Sequence, residues 1–394
     1  MLAQELIDII VDEVAHTDDL RPVRDHTALK ACSLTARAFR VRSQRRLFQS
    51  LTLKSPNIDH VCVGFIQNPT LASYVRDFCL HLPHESFSQL LSSFFPLLKN
   101  LDRLFIQFER QSFAWRQSPA QLVFPAELIQ LLSLPTLRCF GLQNCSYLPF
   151  SVMRYATRSF EEVVLVHVDG RDDKACPLMD EASLSNDIPA LRRLLLQPPG
   201  TFKSFLLHEG NASILKNLRD IELRLGDYER PPSVDSDIPV KLMSIPHLSV
   251  DVDVFWTAAH CSRLLYFPKM PHIRVLTLKS RTSQLHIAES LQCLALRLPT
   301  CMPNLEVLNF FFDSQTVDPT KPHYPEMDDA LANLTFLREV NFITGANSYN
   351  RFYMVEDSLR GALPLASDAG LLRIKSSKIY SEATRRRPIY LFSS

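Results

Sequence analysis

Five times this chain places a proline two residues ahead of an apolar anchor that opens a patterned apolar run: LPTLRCFGL, IPALRRLLL, IPHLSVDVDV, MPHIRVLTL and MPNLEVLNF. The prolines are Pro135, Pro189, Pro246, Pro271 and Pro303, and the anchors Leu137, Leu191, Leu248, Ile273 and Leu305. Proline ends a preceding helix and drives the residue before it toward extended backbone, so each unit reads helix, stop, strand. Keeping only the apolar residues at i, i+3 and i+5 adds units anchored at Val75, Leu101, Phe160, Leu218 and Leu337. The ten anchors lie 23 to 36 residues apart. The unit at Leu248 is irregular, because Val250, Val252 and Val254 alternate with Asp251 and Asp253 in another register.

One strand and one helical segment per 20 to 30 residues is the neighbourhood of a leucine-rich repeat, and LRCFGLQNC, Leu137 to Cys145, fits the form L-x-x-L-x-L-x-x-[NC]. The intervening stretches ESFSQLLSSFFPLLKN, PAELIQLLSLP and QLHIAESLQCLALRLP carry helical patterning. Strands that alternate with helices run parallel, and stacking buries the faces that one unit cannot bury alone. The expectation for residues 51–344 is therefore an α/β, irregular leucine-rich-repeat solenoid of parallel strands alternating with helices. Residues 226–239 and 313–325, rich in Pro, Asp and Ser, read as projecting loops. Past Thr344 the pattern stops. Residues 345–394 are assigned to a C-terminal cap and tail, with one more strand-like run, LLRIKSS from Leu371, and a basic run Arg385, Arg386, Arg387.

Composition narrows the function. Forty-three Lys and Arg stand against forty-two Asp and Glu, a net charge of +1, so no global field recruits nucleic acid or an anionic membrane. Nine glycines in 394 residues is sparse for phosphate loops and nucleophile elbows, which need glycine where backbone meets a ligand. Nine scattered cysteines without a C-x-x-C pair read as reduced, buried thiols. Three groupings fall short of chemistry. His81 and His84 flank Pro83, His260 and Cys261 are adjacent and diverge on a helix, and Asp251 and Asp253 share a strand face that reads as solvated. No catalytic residue, metal-ligand set or cofactor is assigned. Glu5 and Asp8 stand where a secretory leader carries basic residues, and no uncharged apolar run reaches about 18 residues. The expected location is cytoplasmic, nuclear or both, with no membrane partner.

The start of the chain poses a separate problem. On a helix, the apolar residues of LAQELIDIIVDEVA cover roughly a 200° arc, about twice what a surface helix needs. A polar connector follows, then ALKACSLTARAFRVRSQRRLF, with Leu29, Cys32, Ala36 and Phe39 on one stripe and a basic third segment from Arg42 to Phe48. Three short helices within residues 1–50 form an all-α domain near the lower size limit for independent stability, one that needs a partner or neighbour to cover it.

These residues carry a resemblance. LAQELIDIIVDEVA followed by LKACSLTARAFR and RRLF is similar to an F-box, which opens L-P-x-E-[LI] and continues L-x-x-[CA]-x-x-V-[CS]-[RK]-x-[WF]. The layout resembles the F-box proteins with degenerate leucine-rich repeats that are expanded in fungi. Ala3 stands in place of the usual proline and Thr35 in place of a common valine. The resemblance implies a non-catalytic, substrate-receptor subunit of an SCF-type, cullin-RING ubiquitin ligase. Ile7, Ile10, Val11 and Val14 would pack inward on Leu29 and Phe39. Leu2, Ala3, Leu6, Ile9, Leu29, Lys30 and Cys32 would meet a Skp-type adaptor and, through it, a cullin scaffold.

Within each unit, i+4 and i+6 alternate away from the core anchors. That nominates Phe105, Gln107, Glu222, Arg224, Thr277, Lys279, Asn309 and Phe311 for the surface that meets a protein target. The rival reading is a ligase-independent repeat scaffold whose first helices only cap the array, with Leu2 and Leu6 buried. A third reading is an enzyme sited near Leu248 or in the 226–239 loop, supported by a pocket that joins Asp251, Asp253 and a histidine.

Overall fold

A computed structural model describes residues 4–16, 26–54, 57–82, 89–108, 113–114, 130–171, 191–197, 217–225, 246–252, 271–280, 298–312, 323–344 and 349–376. It divides into two compact units, Met1–Ile188 and Pro189–Ser394. Both are mixed α/β with parallel strands, consistent with a leucine-rich-repeat-like solenoid.

The first unit opens with helices α1 (Gln4–His16), α2 (His26–Thr35) and α3 (Arg37–Phe48), which pack on one another. Strand β1 (Ser50–Lys54) follows α3 directly, and the Gln49 carbonyl accepts the amides of Arg76 and Asp77 at the start of β2 (Asp77–Leu82). Then come α4 (Ile58–Gln67) and α5 (Pro69–Ala72), which lie between β1 and β2, and after β2 the short α6 (Gln89–Phe94) with a 3-10 turn at Phe95–Leu97. Strands β3 (Arg103–Phe108), β5 (Cys139–Pro149) and β6 (Glu162–Arg171) complete the parallel order β1-β2-β3-β5-β6, with β4 (Phe113–Ala114) added to β5 and helix α7 (Phe150–Ser159) between β5 and β6. The helices and the array share one core. The Phe48 ring of α3 meets Phe65 of α4 at 5.7 Å, and Phe65 meets Phe94 at 5.4 Å, edge and tilted contacts that favour aromatic pairs.

In the second unit seven parallel strands follow in chain order: β7 (Arg193–Gln197), β8 (Asp220–Leu225), β9 (His247–Val252), β10 (Val275–Ser280), β11 (Val307–Phe312), β12 (Glu339–Thr344) and β13 (Leu372–Ser376). Helices α8 (His323–Ala332), α9 (Tyr349–Ala362) and α10 (Pro364–Asp368) lie among the last three strands in sequence. Nine of the ten sequence anchors, from Val75 to Leu337, are buried. This is the outcome that apolar burial dictates for residues recurring once per turn of the array.

Two expectations are corrected by the register. His247 pairs with Val275, two residues past the anchor Ile273, so Leu248 and Val250 occupy the i+3 and i+5 places and Leu248 is not an anchor. The proline at 246 therefore lies inside the unit's turn, and this displacement is what made the valine alternation look out of phase. The array also does not stop at Thr344: β13 pairs in parallel with β12, Val340 opposite Leu372. Its anchor region is disguised because α10 and Gly370, at φ +70°, replace the proline stop, glycine being the residue that takes this conformation without strain. Of the two expected loops, residues 226–239 and 313–322 lie outside the described residues, and His323, Tyr324 and Pro325 open α8. Residues 385–387, His84 and the His260–Cys261 pair lie outside them as well.

Candidate functional site

The nominated binding residues lie on two surfaces, the helical start and the sheet face opposite the apolar core. Helix α1 buries Ile7 and Val11, and Leu29 of α2 is fully buried with them. The neighbouring arc of α1 is open: Leu6 is 44%, Ile9 58% and Ile10 38% exposed. At 100° per residue these three side chains share a stripe beside the buried one, and Leu34 and Val41 add exposed apolar surface from α2 and α3. Asp12 locks the open helix in place. Its carboxylate accepts from the Arg42 guanidinium at 2.7 Å and from Arg46 Nε at 2.8 Å. The hydrogen bonds from Arg46 and Arg42 hold the Asp12 carboxyl well below the usual carboxylate range.

Leu6 and Ile9 are exposed, Lys30 is exposed and Cys32 half-buried, while Leu2 and Ala3 lie outside the described residues. Leu29 is corrected. It faces the helical core and is inaccessible, because Lys30, one residue and about 100° further round α2, takes the outward position. Ile10, placed inward by the sequence reading, instead lies at the open margin, because it stands about 80° round the helix from the line of the buried Ile7 and Val11. The Val14 side chain lies outside the described set.

On the second unit's sheet, side chains at i+2 and i+4 form a hydrogen-bonded ladder across the strands. Arg193 donates to Glu222 at 3.2 Å. Asp220 Oδ1 lies 2.7 Å from His247 Nδ1, and His247 Nε2 lies 3.0 Å from Thr277 Oγ1. Asn309 Nδ2 donates to Thr277 Oγ1 at 3.1 Å, and Asn341 Nδ2 donates to Asn309 Oδ1 at 2.9 Å. An Asp–His–Thr order with these distances meets the geometric test for an activated hydroxyl. Here the hydroxyl is closed off: Thr277 is 3% exposed and its oxygen is already held by the Asn309 amide. The arrangement pairs buried polar groups strand by strand, as such groups require, and ends at Asn341, whose Oδ1 is buried without a hydrogen-bond partner among the described residues.

This ladder corrects the nominated target surface. Phe105, Glu222, Thr277 and Asn309 are between 2% and 5% exposed. Neighbouring parallel strands stand about 4.8 Å apart, so an i+4 side chain is walled in by the same position of the next unit. Phe105, for example, lies against Gly141 on the neighbouring strand, where any Cβ would collide with its ring. Gln107 is half-buried. Arg224, Lys279 and Phe311 lie in β8, β10 and β11, their side chains outside the described set, with Asp251 between Arg224 and Lys279 in register. His247 joins Asp220 and Thr277, while the Asp251 side chain and Asp253 lie outside the described set.

In the first unit Cys79 Sγ lies 3.4 Å from His81 Nε2, yet burial pushes that thiol up to about 11, the opposite of an activated cysteine. Among the described residues no group of three or more His, Cys, Asp and Glu is placed to hold a metal ion, and no helix is long and apolar enough to cross a membrane. Asp220, His247 and Asn341 were missed in the sequence. The signal was present, since aligning units by register stacks a polar residue at the same place in successive strands.

No family model matches this chain, and no curated protein matches it. Among solved structures, a leucine-rich-repeat protein of Leptospira interrogans is 13% identical, covering 83% of this chain and 100% of its own, with a TM-score of 0.18. The fold assignment accordingly rests on the parallel strands and their register.

Proposed function

We propose that this protein is the substrate-receptor subunit of an SCF-type, cullin-RING ubiquitin ligase, with an F-box-like helical start that binds a Skp-type adaptor and a leucine-rich-repeat solenoid that binds a protein target. The observation that carries the reading is the divided apolar surface of α1, in which Ile7 and Val11 are buried while Leu6 and Ile9 are exposed. A helix serving only as a cap would bury Leu6. Covering such aliphatic side chains stabilises a complex by about 1 kcal/mol each when they begin half exposed. In this reading the receptor does no covalent chemistry and acts by holding the target's lysine near the conjugating enzyme, a proximity effect.

The rival, a ligase-independent repeat scaffold, is favoured by a different observation: α3 runs straight into β1 and shares the Phe48–Phe65 contact with the first repeat. Co-purification of the full chain with a Skp-type adaptor separates the two. The receptor reading expects a complex that Leu6→Asp with Ile9→Asp abolishes while the thermal melt stays unchanged. A folded native chain that captures no adaptor would establish the scaffold instead.

A further inference from the structure

The position just after each anchor, i+1, carries the backbone seam of the array. In the second unit Arg192 O accepts the amides of Arg219 and Asp220, Pro246 O those of Arg274 and Val275, Arg274 O those of Glu306 and Val307, and Glu306 O those of Arg338 and Glu339. The side chains at this position therefore rise from a hydrogen-bonded rail, one per strand. Read along the rail they are Arg192, Arg219, Pro246, Arg274, Glu306 and Arg338, four cations and one anion.

All four arginines are exposed, Arg274 and Arg338 with 66% and 77% of their side chains open. The single carboxylate, Glu306, is shared between Arg274 at 3.2 Å and Arg338 at 3.9 Å. The acidic side chains of the adjoining rows are already engaged: Asp220 with His247, Glu222 with Arg193, and Glu339 with Lys375. The rail thus keeps a surplus of three positive charges in a chain whose net charge is +1. The equivalent seam of the first unit reads Arg76, Asp102, Arg138 and Glu161 and is balanced, with Arg138 3.8 Å from Asp102.

We infer that the arginine rail of the second unit is a docking site for an acidic, extended protein segment running across the strands. The inference rests on the reading that the repeat region receives a protein target, and it names that target's chemistry. Five strand intervals span about 24 Å, the length of about seven extended residues. Exposed guanidinium groups pair with carboxylates bidentately. Surface charges of this kind set partner choice and association rate and are weakened by salt. The site lies on the seam, apart from the buried i+4 residues, which no target could reach.

The test is fluorescence anisotropy of the full-length protein with a labelled twelve-residue peptide rich in Asp and Glu, beside the same peptide with Asn and Gln in their place. The acidic peptide binds at least tenfold more tightly than the amide peptide at 50 mM salt, and that preference shrinks at 300 mM. Arg192→Glu with Arg219→Glu weakens it at least tenfold, Arg274→Gln with Arg338→Gln weakens it several-fold, and Arg138→Glu in the balanced seam leaves it unchanged. Thermal melts establish that each variant is folded. Equal binding of the two peptides, or indifference to both folded double variants, overturns the proposal. So does preferential displacement of the peptide by a single-stranded oligonucleotide of the same length. Adaptor co-purification with the same variants keeps the two readings apart: loss of peptide binding with the adaptor retained supports the rail, and a chain that binds the peptide but no adaptor removes only the ligase reading.

Discussion

Gly141 shows how a single residue can be decided by its neighbour one strand away. It pairs with Phe105, and the Phe105 ring occupies the space where a Cβ would stand. Gly141→Ala therefore overpacks the sheet and lowers stability by about 1–3 kcal/mol, read as a lower urea midpoint, and adding Phe105→Leu recovers part of the loss. Asp12 acts through charge. Its folded-state titration is depressed by Arg46 and Arg42, so its stabilising contribution is fully present above the unfolded value of about 4 and is lost as pH falls through the lower folded value. Thermal melts of the native chain and Asp12→Asn should differ by a constant gap from pH 7 to about 5 and converge below pH 4. A gap that persists unchanged at pH 3 would assign the role of Asp12 to packing.

At the scale of the element, the second sheet is held by more than its apolar face. The Thr277–Asn309–Asn341 chain runs across three strands with each amide donating toward the N-terminal side of the array. Removing the middle member leaves the Asn341 amide without its acceptor in a site that is 2% exposed. Asn309→Ala accordingly costs about 1–3 kcal/mol, the penalty for a buried unsatisfied group. The exposed Thr52 on β1 provides the comparison, where replacement by Ala stays within about 0.5 kcal/mol. Denaturant titration of the two variants measures the difference directly. A second buried anchor, Asp328 of α8, accepts the amides of Leu365 and Ala366 at 2.7 and 2.8 Å, which ties the short α10 to the array and lets β13 continue it.

For the molecule as a whole, the exposed stripe on α1 and the arginine rail belong to different units, Met1–Ile188 and Pro189–Ser394. The receptor proposal needs two independent binding faces, one for the ligase and one for the target. Under the receptor proposal, Leu6→Asp with Ile9→Asp should abolish adaptor capture and leave the acidic peptide's affinity within twofold, because both substituted residues belong to the first unit and the rail to the second. A large loss of peptide affinity in that variant, with the melt unchanged, would mean that the two activities are not separable.

What the sequence determined by itself was the periodic part of this protein. Apolar anchors once per turn must be buried, and prolines before them must stop helices, so parallel strands alternating with helices followed from Pro135, Pro303 and their equivalents before any contact was known. The two-sided apolar character of the first helix was equally legible, because helical period alone separates Ile7 and Val11 from Leu6 and Ile9. Tertiary structure decided everything that depends on which residues stand side by side on different strands. Phe105, Thr277 and Asn309 look outward by strand alternation, yet neighbouring strands wall them in. Leu248 looks like an anchor until its register with Leu276 places it three residues further along. Asp220, His247 and Thr277 are 27 and 30 residues apart in sequence and within hydrogen-bonding distance in space. Alternation is a local property of one strand, whereas burial and pairing on a sheet are set by the register of its neighbours.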